Sequence, residues 1–370
     1  MTARLLTVLV LSPLLAACSP SFDSASQVET LRLLALRTEP PEIAQAGADG
    51  TAPAPDSGSL EELVAHPAFL TDPARRATVV HIACTPAASD PGGTACTELA
   101  ALAQPERFLA GADLTAACAA PGVGQAGGIT FSGVAACGVA GCEPLSVPLD
   151  PADPSSGVAL PAPAFALPAD FWLGDLPANR PERILGVEVV EVALVLDAQP
   201  GDLAPSAPVA DGCGALTAFL ERFLAAWPAN DHVTGLKRLH VRGPDDTDPP
   251  NLNPALQGIT LAGVPLPSTA RPNAQAGLRA SFPPDAAALH QPYVRRDATG
   301  AAMSSEVESW TISWFATDGE VDELHGAEDA ADLWTAPATT PPGGLVRVWA
   351  VARDLRGGTA WTTELVTVSP

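Results

Sequence analysis

The sequence predicts a mainly β protein of two sandwich-like domains, the first with a long, disulfide-stapled irregular insertion and one amphipathic helix. Three observations predict it. Short apolar runs with alternating side chains recur between turn residues, and 39 Pro with 31 Gly among 370 residues favour turns over long helices. Six of the seven cysteines crowd the segment 84–213. The length suits two domains, and a hydrophobic content of 47% supplies each with a core. The chain is acidic, with 42 Asp and Glu against 19 Lys and Arg, a formal net charge of -23, and Lys237 as its only lysine. No basic face is left to neutralise phosphates, which disfavours nucleic-acid binding and attraction to anionic lipid headgroups.

The N-terminus carries an address. Arg4 is a positive n-region, residues 5–15 an apolar h-region, and Ala16 and Ala17 the small residues before a cleavage point, so 1–17 reads as a secretory signal. A spanning helix needs about 20 apolar residues. The signal is shorter, and the later apolar run around Val192 is broken by Glu188 and Glu191. The run Leu15-Ala16-Ala17-Cys18 resembles the lipobox of bacterial lipoproteins. That resemblance implies cleavage before Cys18, a diacylglycerol on its sulfur and an acyl chain on its nitrogen. Several chains, at ~0.8 kcal/mol per buried CH₂, make a stable anchor. Ser19 follows in place of Asp, which by resemblance to Gram-negative lipoproteins implies the outer membrane, on its surface or its periplasmic face. Residues 18–27, small and polar, read as a lipidated tether.

The first domain is expected over 28–242, with strands at 30–37, 77–84, 186–197 and 235–242, each bounded by Pro or Gly. In 186–197, Val190, Val192, Leu194 and Leu196 share one face and Glu191 and Asp197 the other, the alternation of a half-buried strand. In 235–242, Leu239 and Val241 point inward, which leaves Arg238, His240 and Arg242 as an outward basic stripe. The insertion 85–183 far exceeds an ordinary loop of about 4–6 residues. A short helix at 97–103 and a turn at Phe171-Trp172 are its expected regular features.

Lipidation of Cys18 leaves Cys84, Cys96, Cys118, Cys137, Cys142 and Cys213, an even set that in an exported chain means disulfides. Local closure favours Cys84 with Cys96. Cys137 with Cys142, leaving Cys118 and Cys213, competes with Cys118–Cys137 plus Cys142–Cys213. No C-x-x-C pair and no histidine at finger spacing argues for zinc. The helix is expected at 215–227, where Leu216, Phe219, Leu220, Phe223, Leu224 and Trp227 form one apolar stripe before Pro228. Such a stripe is the face that packs on a sheet.

The acidic, proline-rich run 243–251, GPDDTDPPN, marks a linker. Beyond it, 252–370 shows strands at 256–266, 277–282, 307–316, 345–353 and 359–368, with a corner at Trp334-Thr335-Ala336-Pro337, the spacing of a sandwich. Trp310, Ile312 and Trp314 share one face, as do Val346, Val348, Ala350 and Ala352; these are core positions. The stretch WTAP, followed by GGLVRVWAVARDLRGGTAWTTELVTVS with its hairpin Asp354-Leu355-Arg356-Gly357-Gly358, resembles the last strands of bacterial Ig-like or PKD-like modules. With the lipobox and the strand RLLALRTEPPEI, the chain is similar to surface lipoproteins of GC-rich bacteria that carry Ig-like β-sandwich domains. The resemblance covers about one third of the chain. It implies an extracytoplasmic spacer or adhesive module and no catalytic residues. The first domain departs from it, lacking the cysteine and tryptophan spacing of a true immunoglobulin domain.

Residues 122–127, GVGQAG, fit G-x-G-x-x-G, but Cys118 and Pro121 precede them and a strand-like run follows, so they read as a loop. No G-x-S-x-G, H-E-x-x-H or P-loop is present. The six histidines are scattered, and His81 and His240 are expected at the surface. Among the carboxylates of 318–332, Asp318, Glu320 and Asp322 are candidates for weak Ca²⁺ binding, since a hard cation wants six to eight oxygens or so. The expected function is that of a non-enzymatic, envelope-anchored lipoprotein for display, adhesion or spacing. It would touch the membrane through its lipid alone and meet an envelope or extracellular protein or polysaccharide. The alternative is a lipoprotein that binds a glycan or small ligand in a pocket made by the insertion, Phe171, Trp172 and the helix.

Overall fold

The computed structural model describes residues 25–44, 57–85, 128–167, 173–285 and 289–370. The signal segment, Cys18, Cys96, Cys118, GVGQAG, the helix expected at 97–103, Phe171 and Trp172 lie outside the described residues. The described chain is mainly β, built as sandwich-like sheets.

The first domain centres on a six-stranded sheet. Its order is β2 (Glu42–Ala44), β11 (His232–Arg242), β10 (Val187–Leu196), β4 (Ala77–Cys84), β5 (Ile129–Gly138) and β6 (Gly141–Pro144). A three-stranded sheet of β1 (Arg32–Glu39), β3 (Ser57–Ala65) and β9 (Ala164–Ala166) covers one face. The helix Gly212–Ala226 and the hairpin of β7 (Ser146–Asp150) with β8 (Asp153–Ala159) cover the other. The helix follows its sequence stripe: Leu216, Phe219, Leu220 and Phe223 bury against Val80, Ile82, Val192 and Leu194. Asp211 caps it, its Oδ1 accepting from the Gly214 N–H at 2.9 Å. With both faces covered, β4 and the centre of β10 are buried along every position, where alternation alone predicts half burial.

The insertion is more regular than its composition suggests, because residues 129–166 supply β5 to β9. The strand β5 lies beside β4 in the central sheet and bulges at Gly133 (φ +142°), opposite His81. A Cβ there would lie 2.6 Å from the backbone of Ala162 and Pro163, so only glycine allows the close crossing.

In the second domain, one sheet runs β13 (Val264–Pro265), β12 (Gly258–Leu261), β15 (Gln275–Ser281), β21 (Asp332–Thr335) and β19 (Glu320–Val321). The other runs β14 (Ser268–Ala270), β23 (Thr359–Val368), β22 (Leu345–Arg353), β18 (Thr311–Ala316) and β20 (His325–Ala327). Between them Ile312, Trp314, Val346, Val348, Ala350 and Ala352 form the expected core with Leu278 and Trp334. A separate hairpin pairs β16 (Pro292–Arg296) with β17 (Ala302–Val307). Among the described residues, no hydrogen-bonded sheet takes strands from both sides of 243–251.

The two domains share a further apolar cluster. Leu34, Ala35, Leu63 and Ala65 on the outer face of the three-stranded sheet meet Phe315, Trp349 and Val351 on β18 and β22. The molecule is thus a stack in which helix, six-stranded sheet, three-stranded sheet and the two sheets of the second sandwich follow one another. The end of the expected tether belongs to this seam. Ser26 and Val28 are buried, Gln27 bridges to Ala316, and the Val28 N–H donates to the Ala316 carbonyl at 2.8 Å. Residues 26–28 are therefore docked through one isolated bridge, because their apolar and backbone groups find partners on β18.

Candidate functional site

Polar chemistry inside the stack gathers where β3 crosses the six-stranded sheet. On the face of that sheet turned towards β3, Val79, Ala83, Ala193 and Val195 are modest in size and leave room for two larger groups, His81 of β4 and Glu191 of β10. Glu62 reaches them from β3. His81 Nε2 lies 3.2 Å from Glu62 Oε2, and His81 Nδ1 lies 3.5 Å from Glu191 Oε1, with all three side chains at most 1% exposed. Neither ring nitrogen is well aligned for a hydrogen bond, so these are charge contacts first. Ser132 Oγ donates to Glu191 Oε2 at 3.5 Å. Burial alone would strip the imidazole of its proton, but the two carboxylates outweigh it and hold His81 up at about 9. Burial also raises Glu191, against the pull of His81 and Ser132.

The sequence places His81 and Glu191 outward; the structure corrects both, because a second sheet covers that face. The outward basic stripe also dissolves. Arg238 is exposed and pairs with Glu188 at 3.1 Å, His240 is half-buried, and Arg242 is buried against Asp246 at 3.2 Å.

Beside Glu62 lies the disulfide Cys137–Cys142, formed by residues directly opposite each other on β5 and β6. Cys137 Sγ is 3.4 Å from Glu62 Oε1, and Cys142 Sγ is 3.2 Å from the Glu62 carbonyl oxygen. The disulfide settles one open alternative, since it excludes Cys118–Cys137 with Cys142–Cys213. Cys84 and Cys213 are disulfide-bonded as well. Glu62, Cys137 and Cys142 cluster closely enough to suggest ligands, but sulfurs bonded to each other are not thiolates.

The seam between the domains is closed by buried charge. Arg356, from the hairpin Asp354-Leu355-Arg356-Gly357-Gly358, places Nη2 3.2 Å from Glu42 Oε1 and Nη1 3.2 Å from Glu308 Oε1, with its guanidinium over the Tyr293 ring. Asp354 holds the hairpin, accepting from Arg356 N and Gly358 N at 2.7 Å each and from Asn251 Nδ2 at 3.1 Å. Arg353 donates to the Leu34 carbonyl at 2.7 Å and Arg347 to the Val139 carbonyl at 2.8 Å. Lys237 donates to Gly357 O and, at 3.1 Å, to Thr359 Oγ1. Its burial lowers it to about 8, with Arg353 adding to the effect and Asp354 opposing it.

An open cleft of about 500 Å³ enters this seam, walled by Glu61, Glu62, Cys142, Arg347, Trp349 and Trp361. The Arg37 guanidinium lies 4.8 Å over the Trp361 ring and pairs with Glu61. A second cleft, of about 520 Å³, has Arg75, Arg76, Arg222, Asp197 and Asp202 in its walls.

Of the Ca²⁺ candidates, Asp318 Oδ1 accepts from the Gly319 N–H at 2.7 Å, and Glu320 and Asp322 are exposed. Their oxygens do not converge as a ligand group. Sequence reasoning missed Glu62 and Arg356. For Glu62 the signal was parity: it sits in step with Leu60 and Val64 on β3, an inward register for a carboxylate.

No family model and no curated protein matches the sequence. Among solved structures, an engineered protein is similar over 41% of this chain at 19% identity, with a TM-score of 0.16, and the likeness spans 28% of that engineered chain. The neural ectodermal development factor IMP-L2 is similar over 92% of this chain and 94% of its own at 8% identity, with a TM-score of 0.14. Likenesses at such scores carry no argument. Among the described residues, no helix is long and apolar enough to cross a membrane.

Proposed function

We propose that this chain is a non-enzymatic, envelope-anchored lipoprotein, held by lipid on Cys18, whose domains act as one rigid unit that displays or spaces a binding surface. The observation that carries the reading is the seam. An apolar cluster of Leu34, Leu63, Phe315, Trp349 and Val351 and the buried Glu42–Arg356–Glu308 latch join two sandwiches that most linkers would leave free to reorient. The docking of residues 26–28 on β18 supports it further, since a membrane anchor ahead of that point would hold the body at a defined end. Digestion of intact cells with protease, with lysed cells and a Cys18→Ala variant as controls, tests the reading. Loss of the protein on intact cells, with retention dependent on Cys18, is expected for surface display. Release of wild-type protein into the soluble fraction would remove the anchor and with it the proposal.

A second reading is favoured by the seam cleft, where Trp361, Arg37, Arg347 and Glu61 combine an aromatic face with charged donors and acceptors suited to a glycan. A change in tryptophan fluorescence across a glycan panel, lost in Trp361→Ala, is its expected signature; an unresponsive panel removes it.

A further inference from the structure

The environment of Cys137 and Cys142 suits two thiols better than one disulfide. A disulfide sulfur has no proton to donate. Yet Cys137 Sγ faces Glu62 Oε1 at 3.4 Å, Cys142 Sγ faces the Glu62 carbonyl oxygen at 3.2 Å, and both separations lie within reach of an S–H donor. The Glu62 carboxylate is buried, and its other oxygen faces the poorly aligned Nε2 of His81 at 3.2 Å, the one cation beside it among the described residues. A buried acceptor short of a donor is costly, and reduction would give this one a donor. Access is present on one side only. Cys137 is fully buried, whereas Cys142 is half-buried and forms part of the wall of the seam cleft.

We propose that Cys137–Cys142 is a redox site that exchanges with an external dithiol through the seam cleft, with Glu62, in contact with the buried sulfur, and His81 behind it as that sulfur's proton source. A thiolate of the dithiol attacks Cys142 Sγ, forming a mixed disulfide. The Cys137–Cys142 bond breaks, and its electron pair goes to Cys137 Sγ. That sulfur takes a proton from the His81–Glu62 pair, and solvent restores the proton to the pair. The second thiolate of the dithiol then attacks the dithiol's own sulfur in the mixed disulfide and releases Cys142, which is protonated from solvent. The external dithiol ends as a disulfide and the protein holds two thiols. The two electrons and two protons that one loses are those the other gains.

The test uses the intact folded chain in buffers of reduced and oxidised dithiothreitol, trapped with N-ethylmaleimide and read by peptide mass spectrometry. Tryptophan fluorescence monitors the fold. Cys137 and Cys142 should become alkylated in the folded protein at a reduced-to-oxidised ratio at least about tenfold lower than Cys84 and Cys213 require, and Glu62→Gln should raise the ratio needed by about tenfold. His81→Gln should change the pH dependence of that ratio. Reduction of all the disulfides together, or only as the fluorescence reports unfolding, would overturn the proposal and leave a plain staple. An unshifted ratio in a folded Glu62→Gln protein would overturn the role of Glu62. Should that variant fail to fold, the order of reduction in the unaltered chain still decides.

Discussion

Removing the imidazole of His81 should flatten the dependence of stability on pH in a window where its contribution dominates. Between Glu62 and Glu191 this histidine is held at about 9 against an ordinary value of 6.5. The folded chain therefore binds its proton more tightly than the unfolded chain. The resulting stability is fully present below pH ~6.5 and is lost as pH rises through ~9, with a ceiling of about 3 kcal/mol. Glu191, also raised, acts in the same direction. His66 and His240 are lowered, chiefly by burial, so their opposing effect is complete below pH ~6.5. Lys237, lowered to about 8, begins to oppose as the pH approaches that value and opposes most strongly above it, where the folded state has released a proton that the unfolded state keeps. Between pH ~7 and ~8, His81 should thus cost the protein about 1 kcal/mol of unfolding free energy. Urea titrations followed by tryptophan fluorescence, with disulfides intact, measure this. His81→Gln should be destabilised by about 3–5 kcal/mol, because two buried carboxylates lose their cation. It should also lose the part of the pH slope that His81 supplies. A variant with the full wild-type slope across that window would refute the assignment of the proton to His81.

Other perturbations follow from the same geometry. Trp349→Ala, at a residue 3% exposed in the seam, should cost about 3–5 kcal/mol and divide one calorimetric transition into two. Arg356→Ala should cost about 3–5 kcal/mol in chemical unfolding, because Glu308 then stays buried without its cation and Glu42 keeps only Arg242 at 3.8 Å, and Arg356→Lys should recover only part of it. Asp211→Ala should remove about 1 kcal/mol through the lost helix cap, without altering the seam, as judged by urea unfolding and near-ultraviolet circular dichroism.

The parts legible in the sequence are those governed by local pattern. The stripe from Leu216 to Phe223 became the helix, and the alternation of Val346, Val348, Ala350 and Ala352 became one wall of the second core. The rest depends on layers that periodicity cannot count. An alternating strand names the two faces but not what covers the second one. His81, Glu191, Trp349 and Val351 all belong to such second faces, buried once the three-stranded sheet takes its place between the domains. Composition hid most of β5 in the same way: its start was legible as the strand-like run after GVGQAG, but the small residues Gly133, Ala135 and Ala136 beyond it read as loop, yet they are what a crowded central strand needs beside Ala162 and Pro163. The Asp354 hairpin was legible as a turn, but the reach of Arg356 to Glu42 crosses more than three hundred positions of sequence.

The charged latch and the apolar seam have different consequences, and their division of labour explains why both are present. Burying Leu63 and Trp349 supplies a driving force that is nearly indifferent to direction, since apolar contacts tolerate sliding. A buried ion pair adds little net stability once its desolvation is counted, but it punishes displacement severely. Arg356 must find Glu42 on one domain and Glu308 on its own, while Arg353 and Arg347 must find single carbonyls at Leu34 and Val139. A shift of the domains by a few ångströms would leave several of these groups buried and unpaired at once. The apolar cluster thus makes the domains associate, and the polar set selects one orientation. On the proposed reading as a spacer or display protein, that second property is the one that would matter, because it fixes the position of the outer surface.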